Sequence, residues 1–463
     1  MDLLRATMTE LGRLLAAGET SSEQLTRAYL DRIARYNGQL NAYLRVFESE
    51  ALDAARDLDR ERAAGRVRGT LHGIPLAFKD IIDIRGHPTT AGGVLLPDTP
   101  ARADAEVTRR LRASGAVLLG KLNLHEYAWG GTNINVHYGN AFNPWKAGYS
   151  PGGSSGGSAA AVVAGLAAGT LGTDTLGSVR IPSSYCGCVG LKTTYGLVST
   201  RGVYPLSWSL DTVGLIARCV EDAAILYGVI AGPDAEEPTS AGREPSAVTL
   251  GGEPDLKGVR LGVVRDWSLR HDGTDREIEV RSLVQRALVR LQELGAERVD
   301  IDLPELPESL PVVLRIAQAE ASAIHQQHLD EHPDRIGEDV RKRLELGRTF
   351  SGPDIASAHR RAVELRHRAR RAMQGLDALL FPTTTNAAHA FDPELAPKTA
   401  NYTGPVNLLG WPAITVPCGF NSEGLPVGLQ LAALPFSEAA LLRIAYAYET
   451  ATDWVKRKPE RFI

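Results

Sequence analysis

Two serines lie in glycine-rich runs with no histidine close to either in the chain. Ser154 and Ser155 stand in Gly152-Gly153-Ser154-Ser155-Gly156-Gly157-Ser158, and Ser178 follows Gly172-Thr173-Asp174-Thr175-Leu176-Gly177, with Val179 and Arg180 after it. A serine hydroxyl is a weak nucleophile at its ordinary pKa, so attack on a carbonyl needs a base from elsewhere in the chain. Lys79, at the end of Gly73-Ile74-Pro75-Leu76-Ala77-Phe78-Lys79-Asp80, is the candidate. It ends an apolar run that predicts a buried strand, and burial disfavours the charged amine. An uncharged lysine accepts a proton near neutral pH. The competing reading is a structural lysine paired with Asp80 or Asp83.

What must hold these groups is partly visible. The glycine loop runs into Ser158-Ala159-Ala160-Ala161-Val162-Val163-Ala164-Gly165, almost devoid of large side chains. That composition predicts a helix lying very close to a sheet, with the loop serines held rigidly. Clustered glycines also let backbone amides converge on negative charge, although by themselves they describe a flexible linker equally well.

Three other motifs are weaker. Gly115 to Leu122 has phosphate-loop spacing but ends in Leu122 where a Ser or Thr is needed, and its interior reads as a buried strand. Gly152 to Gly156 fits Gly-x-Ser-x-Gly, yet the preceding Asn143 to Pro151 is loop and not the strand a nucleophile elbow requires. His325, His328 and His332 have helical spacing for one metal ion, but their polar neighbours predict an ordinary solvated helix, so no metal is expected.

Apolar residues recur at helical spacing from Thr9 to about Gly65, and Ser21 with Gln24 makes a capping box before Leu25, Tyr29, Ile33 and Tyr36. Beyond Gly73, apolar runs at Ile74 to Phe78, Ala116 to Leu119, Val259 to Val264, Ala378 to Phe381, Ala413 to Val416 and Val427 to Leu431 alternate with helical patterns. This predicts an α/β fold with a parallel or mixed sheet covered by helices on both faces. Later helices are expected over Asp275 to Leu294, Val312 to Leu329, Pro353 to Gln374 and Ser437 to Thr452. In the third, Arg360, Arg361, Arg366, Arg368, Arg370 and Arg371 predict a solvated face and not a nucleic-acid stripe. The Gly, Pro, Ser and Glu-rich stretch from Ile230 to Leu256 is a linker or a surface excursion.

With 463 residues, 43% hydrophobic, 23% charged and a net charge of -4, the chain has an ordinary globular make-up. Nothing in that balance favours nucleic acid or an anionic membrane, so a small neutral substrate is expected as partner, with no nucleic acid and no membrane. Oligomeric state is left open, with a homodimer as one option. Cys186, Cys188, Cys219 and Cys418 match neither zinc nor Cys-x-x-Cys spacing, which predicts reduced structural thiols. The N-terminus lacks a signal-peptide pattern and no apolar run approaches bilayer length, so a cytoplasmic location is expected.

Taken together, Lys79, Pro151 to Ala161, Leu171 to Lys192, Asp377 to Thr383 and Gly410 to Gly419 resemble the amidase signature family of serine hydrolases over nearly the whole chain. The resemblance implies a single amidase-signature domain over residues 1 to 463. Its parts would be a helical N-terminal region to about 66, a signature core from about 70 to 220, and the remaining sheet and covering helices from about 255. It implies a Ser-cisSer-Lys triad: Lys79 as base, Ser154 as the serine after a cis bond, and Ser178 as nucleophile. Backbone amides of Thr175, Leu176, Gly177 and Ser178 would form the oxyanion hole. Ser155, Thr173, Asp174 and Arg180 would support it. The family usually has Gly-Gly-Ser where this chain has Leu176-Gly177-Ser178, so Leu176 is expected to shape the substrate pocket, for which Tyr127, Trp129 and Trp208 are candidate aromatics.

The implied activity is hydrolysis of an amide or related acyl bond, with carbamates (urethanase activity) and aryl esters within reach, through a Ser178 acyl-enzyme without metal or organic cofactor. Two alternatives stand beside it. One is the glutamine-hydrolysing subunit of a tRNA-dependent amidotransferase, which would need partner subunits and a carboxylate-binding arginine; between Thr385 and Pro405 the only cation is Lys398. The other is a catalytically silent scaffold of the same fold.

Overall fold

The computed structural model describes residues 3–391, apart from 266, 270 and 271, and residues 401–462. Every residue of β2 (Pro75–Lys79), β3 (Val117–Leu122), β4 (Gly169–Asp174), β5 (Val189–Lys192) and β6 (Thr212–Ala217) is buried. Successive side chains of a strand point to opposite faces, so unbroken burial means both faces are covered. The other strands are β1 (Tyr43–Val46), β7 (Arg260–Val264), β8 (Glu297–Ile301), β9 (Ala378–Pro382), β10 (Ala413–Phe420) and β11 (Pro426–Ala432). Together they form one mixed sheet of eleven strands in the order β1-β3-β2-β4-β6-β5-β10-β11-β9-β7-β8. Edge strand β8 is mostly exposed and carries Glu297, Arg298 and Asp300, charges that discourage pairing with another chain.

Around the sheet lie α1 (Met8–Ala17), α2 (Ser22–Leu40), α3 (Glu48–Ala63), α4 (Glu106–Ala113), α5 (Gly156–Val163), α6 (Arg180–Cys186) and α7 (Val220–Ile230). The second half of the chain adds α8 (Asp275–Glu293), α9 (Glu305–Ile324), α10 (Gln326–Glu331), α11 (Glu338–Gly347), α12 (Gly352–Ala372), α13 (Gly404–Leu409) and α14 (Glu438–Thr450). The Ser21 and Gln24 capping box is present, each side chain bonding the other's amide at 3.1 Å. Among the described residues no helix is long and apolar enough to cross a membrane.

Several boundaries differ from the sequence reading. The expected helical stretch from Thr9 to Gly65 is interrupted by Gly18, which takes a left-handed φ of 70°, and by β1, whose four residues are too few to show a period of two. Strands β4, β5, β6 and β8 have no counterpart among the apolar runs; β4 reads Gly-Thr-Leu-Gly-Thr-Asp, with one large apolar side chain. The stretch after Ile230 is a surface excursion pinned to the loop between β5 and β6. Gly232 N–H donates to Leu197 O (2.9 Å) and Ala241 N–H to Gly196 O (2.7 Å).

The helix expected to carry the three histidines breaks at His325, between α9 and α10. His325 is fully buried against Tyr127 and Tyr204, not solvated. On α12, Arg366 departs from the solvated face, donating from Nε to Leu408 O at 2.7 Å.

Candidate active site

Strands β2 and β4 run parallel with Phe78 opposite Leu171, so their C-terminal ends deliver Lys79 and Thr173 side by side. Lys79 is fully buried, and its Nζ lies 2.8 Å from Ser154 Oγ and 2.8 Å from Thr173 Oγ1. Burial pushes its pKa down to about 7, opposed by the charges of Asp211 and Asp174. The structural pairing considered for this lysine does not form. Asp80 instead lies 2.8 Å from Lys121, and Asp83 accepts from Thr89.

Ser154 is placed by the approach of α5 to the sheet. A β-carbon at Gly157 would come within 2.5 Å of Asn123 O and 2.7 Å of Ala42 O, so a larger residue there would push the helix away. The bond Gly153–Ser154 is cis. Around it, His125 N–H donates to Ser154 O (3.1 Å), Gly156 N–H donates to Asn133 Oδ1 (2.9 Å), and Ser155 Oγ donates to Thr173 O (3.3 Å). The loop preceding Ser154 contains no strand, as the rejection of the nucleophile elbow requires.

Ser178 lies in the turn between β4 and α6. Ser155 N–H donates to Ser178 O at 3.1 Å, which sets the two serine segments face to face. Ser154 and Lys79 are fully buried and Ser178 is 8% exposed, a gradient from the amine outward. Among the described residues the Lys79–Ser154 contact is formed, and no hydrogen bond joins Ser154 Oγ to Ser178 Oγ.

Asp174 organises the turn. Its carboxylate accepts Gly177 N–H (2.8 Å) and Val179 N–H (3.2 Å), and is held by Arg180 through Nη2 at 2.8 Å and Nε at 2.9 Å. Burial alone would raise this acid, but the Arg180 guanidinium holds it well below the usual carboxylate range. Arg180 continues to Gln430 Oε1 (2.6 Å) and Asn407 Oδ1, and Asn407 Nδ2 returns to Asp174 Oδ1 (2.9 Å). One expectation changes here: the Gly177 amide is committed to Asp174, so it is not an oxyanion donor in this arrangement. Gly177 has a φ of +123°, and a β-carbon there would meet Thr403 Oγ1 at 2.2 Å, so glycine is required.

Leu176 is half-buried, and its carbonyl accepts from Thr403 Oγ1. A β-carbon at Gly404 would lie 3.2 Å from Leu310 Cδ1, 3.4 Å from Val313 Cγ1 and 3.7 Å from Leu176 Cδ2, so all three side chains converge on α13. Of the candidate pocket aromatics, Tyr127 is fully buried, packed near His325, and Trp129 is 4% exposed. Both sit in the core. Trp208 is 51% exposed on the loop before β6. Lys398 lies outside the described residues.

Asn133, His125, Thr403, Asn407, Gln430 and Asp211 were missed by sequence reasoning. Asn407 and Gln430 reach Asp174 or Arg180 from more than 220 positions away, and no local pattern marks them. The His125 Nε2 lies 2.9 Å from Asp339 Oδ2, and burial lowers its pKa.

The Amidase family's sequence pattern matches residues 24–442. A glutamyl-tRNA(Gln) amidotransferase subunit from Moorella thermoacetica is 39% identical, covering 99% of both chains. The protein of the same name from Myxococcus xanthus is 41% identical over 99% of both chains. Among solved structures, the native peptide amidase from Stenotrophomonas maltophilia superposes with a TM-score of 0.81 at 33% identity, covering 96% of each chain. The expectation of a small-molecule enzyme without nucleic acid is corrected by the first two relatives, each named as one subunit of an amidotransferase with glutamyl-tRNA(Gln) in its name. By the extent of the family match and of these identities, the chain belongs to the Amidase family, enzymes that act on carbon–nitrogen bonds.

Proposed function

We propose that the protein hydrolyses a carboxamide through an acyl-enzyme on Ser178, and that the amide is that of glutamine, split to supply ammonia as one subunit of an amidotransferase. The observation that carries the chemistry is a buried amine at about 7 lying 2.8 Å from Ser154 Oγ. Neutral Lys79 takes the Ser154 proton, Ser154 oxygen takes the Ser178 proton, and Ser178 Oγ bonds the carbonyl carbon. Lys79 holds the proton as an ammonium while the carbonyl oxygen carries negative charge against the amides of Thr175, Leu176 and Ser178. The proton then returns through Ser154 to the departing nitrogen, the carbon–nitrogen bond breaks, and ammonia leaves. Water repeats the cycle on the ester and releases the acid. Ser155, Thr173, Asp174 and Arg180 hold the frame.

The choice of glutamine rests on 39 and 41% identity, over 99% of both chains, to the two amidotransferase subunits. We read residues 1 to 463 as one domain because a single sheet takes strands from both halves of the chain. We also take the protein to be cytoplasmic, a reading that four free cysteines support.

One observation favours a second reading, hydrolysis of a different amide, carbamate or aryl ester without partners: Leu176 puts an apolar side chain on the turn that carries Ser178. Ammonia release from L-glutamine, alone and with copurified partner subunits, against a panel of anilides, carbamates and esters separates the two. Glutamine turnover stimulated by partners is expected. Rapid cleavage of apolar substrates with glutamine inert overturns the glutamine reading and leaves the acyl-enzyme intact. A fluorophosphonate that fails to modify Ser178 overturns both.

A further inference from the structure

Asp211 immediately precedes β6, and the antiparallel register that pairs Asp174 with Thr212 brings it across from Thr175 at the start of the Ser178 turn. Thr175 Oγ1 donates to Asp211 Oδ1 at 2.5 Å, and Oδ2 accepts the amides of Leu206 (2.8 Å) and Ser207 (3.0 Å). Ser207 Oγ and Ser209 N–H donate onward to Glu320 of α9 at 2.6 and 3.1 Å. The contrast with Asp174 is in compensation. Asp174 is neutralised by Arg180, whereas among the described residues no lysine or arginine pairs with Asp211, which is only 9% exposed. A buried carboxylate without a cation is costly, and such groups cluster at functional sites.

We propose that Asp211 is a positioning residue: its carboxylate fixes the Thr175 side chain, and with it the turn that carries Ser178. This rests on the reading of Lys79 and Ser178 above. Lys79 is in contact with the hydroxyls of Ser154 and Thr173, the charges of Asp211, Asp174 and His125 act on it at longer range, and those of Arg180 and Lys192 act on Asp174. Around Asp211 stand Thr175, the Leu206 and Ser207 amides, Glu320 and Tyr195. Burial pulls the Lys79 amine toward weak basicity, and the Asp211 charge opposes it. Removing that charge therefore lets Lys79 deprotonate at lower pH, and removing the hydroxyl contact loosens the turn without touching the charge.

The test is the second-order rate of Ser178 modification by a fluorophosphonate between pH 5 and 9.5, with native folding checked by thermal melting. Asp211→Asn is expected to move the acid limb down by about one pH unit and to lower the plateau by roughly tenfold or more. Thr175→Val is expected to lower the plateau by roughly tenfold while the midpoint stays, and Thr175→Ser, which keeps the hydroxyl donor, to recover most of that loss. Asp211→Asn at the wild-type plateau, or Thr175→Val at the wild-type rate, overturns the proposal. Where Asp211→Asn does not fold, the Thr175→Val and Thr175→Ser pair decides. A Ser178→Ala protein that still reacts at the wild-type rate overturns the parent reading and the proposal with it; an inert Ser178→Ala protein confines any failure to Asp211.

Discussion

The turn from Thr173 to Arg180 and the helical wall of α9 and α13 meet at Leu176, and they are built differently. In the turn, polar groups have named partners at hydrogen-bond distance: the Asp174 carboxylate alone accepts from Gly177, Val179, Arg180 and Asn407. On the wall, Leu310, Val313 and Leu176 converge on Gly404 through apolar contact. Charge-assisted hydrogen bonds in a dry interior tolerate almost no change of residue type. Apolar contacts tolerate exchange at similar volume. If Ser178 is the nucleophile as proposed, the chemistry is fixed on the sheet side and substrate preference is adjustable on the wall side.

Substitutions on the two sides should separate accordingly. Ser178→Ala and Lys79→Ala are expected to lower amide kcat by about a thousandfold or more, read by steady-state turnover. Because the inner hydrogen bond is shared, Lys79→Ala combined with Ser154→Ala should cost far less than the sum of the single losses. Arg180→Leu leaves Asp174 buried without its cation and should destabilise the fold by about 3–5 kcal/mol, read by denaturant unfolding. Leu176→Gly should leave the fluorophosphonate rate near wild type and change the ratio of apolar to polar amide turnover by roughly tenfold. If it lowers all rates equally, the wall and the turn are not separable. Arg360→Ala, whose side chain is 83% exposed on α12, should alter neither rate nor melting temperature beyond error.

The candidate site was more legible in the sequence than the frame. Residue types alone singled out Lys79 at the end of an apolar strand and the serines of two glycine-rich runs, while the roles of Ser154 and Ser178 and the support from Asp174 and Arg180 came from the family resemblance. Long apolar strands such as β10 and β11 were legible for the same reason that they are almost wholly buried. Strand β4 was not, because glycine and threonine replace the large side chains where α5 presses against it. Neither were Asn407, Gln430 and Asp211, which enter the site by tertiary contact alone. The commitment of the Gly177 amide to Asp174 depends on the path of the turn, which residue types do not specify.

The central claim is that an uncharged Lys79 arms Ser178 through Ser154. Its most direct test is the rate of Ser178 acylation as a function of pH, measured side by side for wild type and Lys79→Ala. The wild-type rate is expected to rise through about pH 7 as Lys79 loses its proton and then level, and the variant to be slow with that limb gone. A Lys79→Ala protein acylated at the wild-type rate with the same pH dependence would contradict it.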